Sequence, residues 1–167
     1  MAKHSAGLLM YRMRPAGPEL LLVHPGGPFW AKKDDSAWSI PKGLYDDEDA
    51  LAAAKREFEE ETGCKPQGDF IPLGCFKQPG GKVISAWAFE GDFDLARFAS
   101  NLFPMEWPPR SGRIVKFPEA DRAAWFATAE ALRKIVKGQV PIVDALLVSL
   151  GTGSASVTAR SDRKRRS

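Results

Sequence analysis

The chain has 167 residues, 44% hydrophobic and 27% charged, with a formal net charge of +3. That balance suits a single folded domain over about residues 1–150 and excludes a disordered or fibrous chain. No apolar stretch approaches the roughly 20 residues of a membrane span, and the short run before Arg12 is too brief for a secretion signal. Five basic residues and one acid fall in residues 160–167, within a segment (151–167) whose composition is that of a disordered basic tail. Without them the chain is near neutral, so neither DNA nor a membrane is an expected partner, and RNA is a weak third choice. Cys64 and Cys75 have no metal-ligand spacing, which fits a reduced, cytoplasmic protein with two buried thiols, as a monomer or homodimer.

In chain order, residues 5–12 and 19–24 are apolar runs of strand length, joined by a Pro/Gly-rich hairpin turn. Residues 24–36 read as loop, and residues 38–43 as a short extended piece, because Pro41 disfavours helix at Ile40. The strongest helix signal spans 48–62, capped by Asp46 or Asp47, with acids in its first turn, an alanine-rich body and Gly63 as its stop. Strands follow at 70–76 and 83–89. Residues 101–113, rich in Pro, Trp and Arg, read as a long irregular loop, and helices are expected over 130–137 and 139–150. Strands first, a charged helix in the middle and helices at the end give an α/β or α+β sandwich.

The chemistry lies in Arg56-Glu57-Phe58-Glu59-Glu60-Glu61-Thr62-Gly63, which places four carboxylates in five positions. On a helix, Glu57 has Glu60 and Glu61 as its i+3 and i+4 neighbours, so the three project from one face. A solvated acidic surface is one reading of such a run. The other is an oxygen-rich site for a hard cation such as magnesium, with manganese as a substitute. A metal held there can polarise a phosphoryl oxygen and activate water, chemistry suited to pyrophosphate hydrolysis.

Residues 43–64 resemble the Nudix box: Gly, five residues, Glu, seven residues, then Arg-Glu-apolar-x-Glu-Glu-x-Gly-apolar. Arg56, Glu57, Phe58, Glu60, Glu61, Gly63 and Cys64 match its second half, and Glu48 stands seven residues before Arg56. One departure is plain, since only four residues separate Gly43 from Glu48. Taking Glu48 as the motif acid keeps the helix register and puts the missing residue in the loop. The resemblance implies an α/β/α sandwich around a mixed sheet. It also implies that Glu57, Glu60 and Glu61 ligate a metal, with the Lys42 carbonyl beside them. Glu57 is the leading candidate to position or deprotonate water, and Glu48 and Arg56 support the helix. The family often adds a ligand or base from a later loop. Glu119 and Asp121 stand in a suitable place, although an acidic cap on a following helix is the favoured reading of that pair.

The segment Trp38-Ser39-Ile40-Pro41-Lys42-Gly43 is similar to one in Nudix enzymes that cleave dinucleoside polyphosphates, and also resembles relatives acting on diphosphoinositol polyphosphates. Lys42 can neutralise a phosphate chain as a point charge. Trp30 and Trp107 lie in loops, where either ring can stack on a base, and Arg110 suits a phosphate; Trp38 and Trp87 are expected in the core or sheet and Trp125 in the core. Lys32, Lys33, Lys77, Lys82 and Arg113 are further loop cations. The expected activity is hydrolysis of a nucleoside diphosphate linked to another moiety, first of all a dinucleoside polyphosphate. The rivals are pyrophosphohydrolysis of (oxidised) nucleoside triphosphates and a nucleotide sensor without turnover. Sensors usually lose motif glutamates, and here all three remain.

Overall fold

A computed structural model describes residues 3–151, so the basic tail lies outside the described residues. The chain forms strands β1 (His4–Arg14), β2 (Gly17–Pro25) and β3 (Lys42–Leu44), then helix α1 (Ala50–Thr62). Strands β4 (Ile71–Lys77), β5 (Val83–Glu90), β6 (Leu102–Glu106), β7 (Ile114–Pro118) and β8 (Ala120–Ala127) follow, and helices α2 (Thr128–Lys134) and α3 (Val140–Ser149) close the order. The main sheet runs β4-β5-β1-β2-β8, with β3 also paired to β1. Among the described strands of this sheet, β1 and β5 pair in parallel and the other pairings are antiparallel, so the sheet is mixed.

Both faces of this sheet are covered, which explains why its central strands read as continuous apolar runs. Leu8, Met10 and Leu21 point to one side, where they pack on Ala53, Ala54 and Phe58 of α1. Leu9, Tyr11, Leu20 and Leu22 point to the other and meet Ala131, Ile142, Val143 and Leu146 of α2 and α3. The alternation of side-chain direction thus sends successive residues into separate apolar clusters. The architecture is the expected α/β/α sandwich. No helix among the described residues is long and apolar enough to cross a membrane.

A split between β1 and β2 positions the site. The two strands pair directly only from Tyr11↔Leu20 to Arg14↔Gly17, while the first part of β1 pairs with β3. Residues 39–41 fill the opening: Ser39 exchanges both backbone hydrogen bonds with Val23 at 2.9 Å, and the Pro41 carbonyl accepts from Leu8 at 3.2 Å. A Cβ on Gly7 would lie 2.8 Å from Ile40, Lys42 and the Pro41 carbonyl, so this inserted segment can approach β1 only at a glycine.

Several expectations need correction. Helix α1 starts at Ala50 with no acid in its first turn, and its cap is Asp49, whose carboxylate accepts from the Ala52 amide at 3.1 Å, rather than Asp46 or Asp47. Residues 101–113 are not one loop: β6 and β7 form a two-stranded ribbon, whose open edges tolerate Pro104. Glu119 and Asp121 cap no helix, because strand β8 follows and the next helix begins at Thr128. Neither thiol is buried: Cys75 is exposed on the edge strand β4 and Cys64 is partly exposed after α1. Trp38 is buried and Trp87 lies in β5, but Trp125 is only partly buried, packed against the core. The Arg12 guanidinium covers Trp125 at 4.2 Å from its ring centre.

Candidate functional site

Helix α1 carries the site and is fixed at both ends. Its last carbonyls have no partner within the helix and must find one outside. Glu59 is satisfied by the amide of Gly63, whose φ of 78° suits glycine. Glu60 accepts from the Asn101 amide at 2.8 Å and Thr62 from Ala99 at 2.9 Å. The Asn101 carbonyl in turn accepts from the Glu119 amide at 2.8 Å. This backbone relay sets Glu119, far away in sequence, beside the helix glutamates.

Single carboxylate oxygens of Glu57, Glu60 and Glu119 lie within 4.8 Å of one another. Glu57 is 9% exposed and fills the space above Gly43, where a Cβ would come within 2.0 Å of its carboxyl carbon. Arg56 binds two members of the group, its Nη1 donating to Glu57 at 2.8 Å and to Glu60 at 3.2 Å. Glu48 grips the same guanidinium through both of its oxygens, one accepting from Nε at 3.3 Å. These hydrogen bonds, that of Glu48 foremost, raise the Arg56 pKa. The shortened loop therefore leaves the Glu48–Arg56 pair intact, with Asp49 free to cap the helix.

Glu61 is not one of these three, but it stands beside Glu119. With Glu119, Lys42, Ser39, Val23 and Pro25 it lines a recess of about 130 Å³, and it receives a backbone hydrogen bond from Lys42. Burial pushes its carboxyl up to about 8, against the pull of the Lys42 charge and with help from Glu57 and Glu119. Burial also raises Glu57, an effect opposed by Arg56. Glu119 rises through burial and then through the charges of Glu57 and Glu60. Several carboxylates crowded into a half-buried corner favour either a proton or a cation among them.

Beside the recess opens a cavity of about 540 Å³, sharing Pro25, Ser39 and Lys42 as its wall. Trp30 lines it, packed against the core, with the Lys33 ammonium 5.2 Å from its ring centre. Trp107 and Arg110 line neither space. They lie in the exposed turn between β6 and β7, where Trp107 meets Phe29 edge-on at 5.5 Å. Asp121 also stays outside the carboxylate group. It accepts from His24 Nδ1 at 2.9 Å, while the other ring nitrogen meets the Lys33 carbonyl at 2.6 Å. His24 is fully buried and ties β8 to the 24–36 loop, a role that its isolated place in the sequence did not signal. Lys137, Gln78 and Gln139 also line the larger cavity. Sequence reasoning passed over them, since each stands in or beside a short turn without a motif.

Known proteins share this fold. No curated protein matches the chain. Among solved structures, the NUDIX domain of Shewanella oneidensis NrtR, complexed with ADP ribose, superposes with a TM-score of 0.64 at 14% identity, covering 90% of this chain and 89% of that one. A Caenorhabditis elegans Ap4A hydrolase in a binary complex gives 0.60 at 20% identity, covering 87% and 97%. A mutT/nudix family protein of Listeria innocua gives 0.58 at 19%, covering 89% and 93%. The NUDIX domain family matches residues 2–146, nearly the whole described chain, and the protein belongs to that family.

Proposed function

We propose that the protein is a metal-dependent hydrolase of a diphosphate linkage in a nucleoside diphosphate joined to another moiety, with dinucleoside polyphosphates as the first substrate class. The observation that carries this reading is the Glu57–Glu60–Glu119 group beside a cavity walled by Lys42 and Trp30. Its donors are all carboxylate oxygens, the set that hard cations prefer. Opposite oxygens around a magnesium ion stand about 4 Å apart, so the observed spacing fits one such ion with small side-chain adjustments. When bound, magnesium, or manganese in its place, polarises a phosphoryl oxygen and lowers the pKa of water.

The chain's own residues supply the rest. Arg56 orients Glu57 and Glu60 and is itself held by Glu48. Lys42 neutralises phosphate charge, and the Trp30 ring offers a flat face to a base. Water oxygen forms a new bond to one phosphorus, the bridging P–O bond breaks, and its electron pair leaves with the other phosphate. The water proton passes to a carboxylate. Glu57, buried and held by Arg56, and Glu61, which lines the recess with Glu119 and Lys42, are the carboxylates placed to take it.

The test is phosphate release, after coupled phosphatase treatment, from diadenosine polyphosphates, nucleoside triphosphates (oxidised ones included), nucleotide sugars and diphosphoinositol phosphates, with and without magnesium. Magnesium-dependent turnover that Glu60→Gln abolishes without lowering the melting temperature is the expected result. Full activity in that variant would remove Glu60 from the metal set. Silence of the wild type on every compound, with nucleotide binding retained, would favour a sensor.

A further inference from the structure

We propose that Lys82 and Lys137 hold phosphoryl groups of the substrate beyond the hydrolysed linkage, so that a phosphate chain is selected over a diphosphate-linked sugar. The choice of substrate rests on the hydrolase reading above; the binding chemistry does not. The larger cavity carries three lysines, Lys42, Lys82 and Lys137, and no carboxylate. They come from three separate segments: the start of β3, the turn into β5, and the 3-10 turn Lys137–Gln139 ahead of α3. Among the described residues, neither Lys82 nor Lys137 makes a salt bridge, while Lys134 close by is paired to Asp34 and Asp35. Unpaired cations around a concave wall concentrate potential in the space between them and call for an anionic occupant.

The rim that presents these lysines is built, not incidental. The Gln78 amide donates to the Lys82 carbonyl at 2.6 Å, closing the β4–β5 turn. Gln78 Nε2 donates to the Gly138 carbonyl at 2.9 Å, clasping that turn to the segment that bears Lys137. The approach needs glycine: a Cβ at 138 would meet Gln78 Oε1 at 2.7 Å and Pro79 Cδ at 2.9 Å. On the other side, buried Gln139 accepts from the Ile40 amide at 3.0 Å and donates to Ser39 Oγ at 2.9 Å. The two residues that follow Lys137 are therefore tied to separate parts of the wall, one of them continuous with the segment that reaches Lys42. Such preorganisation reduces the ordering cost of binding.

The site thus has two poles. Carboxylates line the recess, which shares Pro25, Ser39 and Lys42 with the cavity, and Lys82 and Lys137 line the cavity but not the recess. A volume of about 540 Å³ falls within the usual range for a small-molecule site. A polyphosphate chain whose linkage lies at the carboxylate pole can continue past Lys42 toward these lysines. A sugar in the same place offers them no charge.

Isothermal titration of the full chain with inorganic tripolyphosphate, with and without magnesium, tests the binding claim. Each of Lys82→Ala and Lys137→Ala is expected to weaken affinity about tenfold and the double variant about a hundredfold, the range of a charge-assisted contact. The paired arginine substitutions should restore most of it, and exposed Lys65→Ala should change nothing. In hydrolysis, the double alanine variant should raise the KM for diadenosine tetraphosphate by a similar factor and that for ADP-ribose by less than threefold. Unchanged tripolyphosphate affinity, or equal rises in both KM values, would overturn the proposal. If tripolyphosphate binding falls as expected but the wild type turns over no diphosphate compound, the hydrolase reading fails and the phosphate-binding rim stands.

Discussion

Replacing Gly43 by alanine is a one-atom test of the proposed centre. The added Cβ would sit 2.0 Å from Glu57 Cδ and 2.1 and 2.4 Å from its oxygens, where ordinary carbon contacts begin near 3.4 Å. The carboxylate must therefore retreat by about 1.5 Å, out of the 4.8 Å group and away from its 2.8 Å contact with Arg56. The backbone has no comparable objection, since Gly43 sits in β3 paired with Ala6 and has no positive φ. Alanine there also restricts the unfolded chain, worth about 0.4–1 kcal/mol in favour of folding. Displacing one metal-holding carboxylate should cost 10²–10³ in kcat/KM, about 3–4 kcal/mol of transition-state stabilisation. The assay is magnesium-titrated hydrolysis of diadenosine tetraphosphate, with manganese binding followed by electron paramagnetic resonance and the fold by thermal melting. Wild-type manganese affinity together with turnover within threefold would show that Glu57 above Gly43 is not part of the metal set.

Other perturbations probe the frame around the centre. Gln139→Leu should lower stability by about 1–3 kcal/mol in urea, because the Ile40 amide loses its acceptor in the core; an unchanged midpoint would deny that tie. Gly26→Ala places a Cβ 1.8 Å from the Pro118 carbonyl oxygen, a backbone clash that should lower the melting temperature by more than 8 °C; a stable variant would mean that β2 and β7 meet more loosely. Without metal, Glu61 binds its proton more tightly folded, with a pKa of about 8, than unfolded, near 4.5, so its contribution is present below about pH 4.5 and lost as pH rises toward 8. Melting temperature in EDTA should therefore fall between pH 5 and 8, less steeply in Glu61→Gln and with saturating magnesium; a rise over that window in the wild type would contradict the assignment.

What the sequence showed and what it hid follow from the range of the interactions. The helix was legible because its determinants are local: the alanine body, the Gly63 stop and the arginine–glutamate spacing all lie within one element. Even there the start was misjudged, since the three aspartates Asp46, Asp47 and Asp49 precede Ala50 and only the geometry of the turn selects Asp49. Both faces of the central strands are covered, so Leu8–Tyr11 and Leu20–Val23 lacked the alternation that assigns a strand to a face, although their apolar character marked them as strands. Strand β6 was hidden by Pro104, a residue that argues against a central strand but costs little in an isolated ribbon.

The candidate site divides along the same line. Glu57 and Glu60 could be read from helical spacing, yet which later acid joins them depends on the relay from the end of α1 through Asn101 to Glu119. Spacing cannot separate Glu119 from Asp121, two positions apart. The irregular pairing of β2 with β8 at Pro25 does, leaving Asp121 to His24 and Glu119 to the helix. Spacing likewise puts Glu60 and Glu61 on a common side of α1, and both stand near Glu119, but packing gives them different partners besides: Arg56 for Glu60 and Lys42 for Glu61. A glutamate run is thus a single feature in sequence and two environments in the fold. Burial in the recess lets Glu61 hold its proton to higher pH. The placement of β8 and of residues 39–42 around α1 creates that difference, and neither is visible in the helix itself.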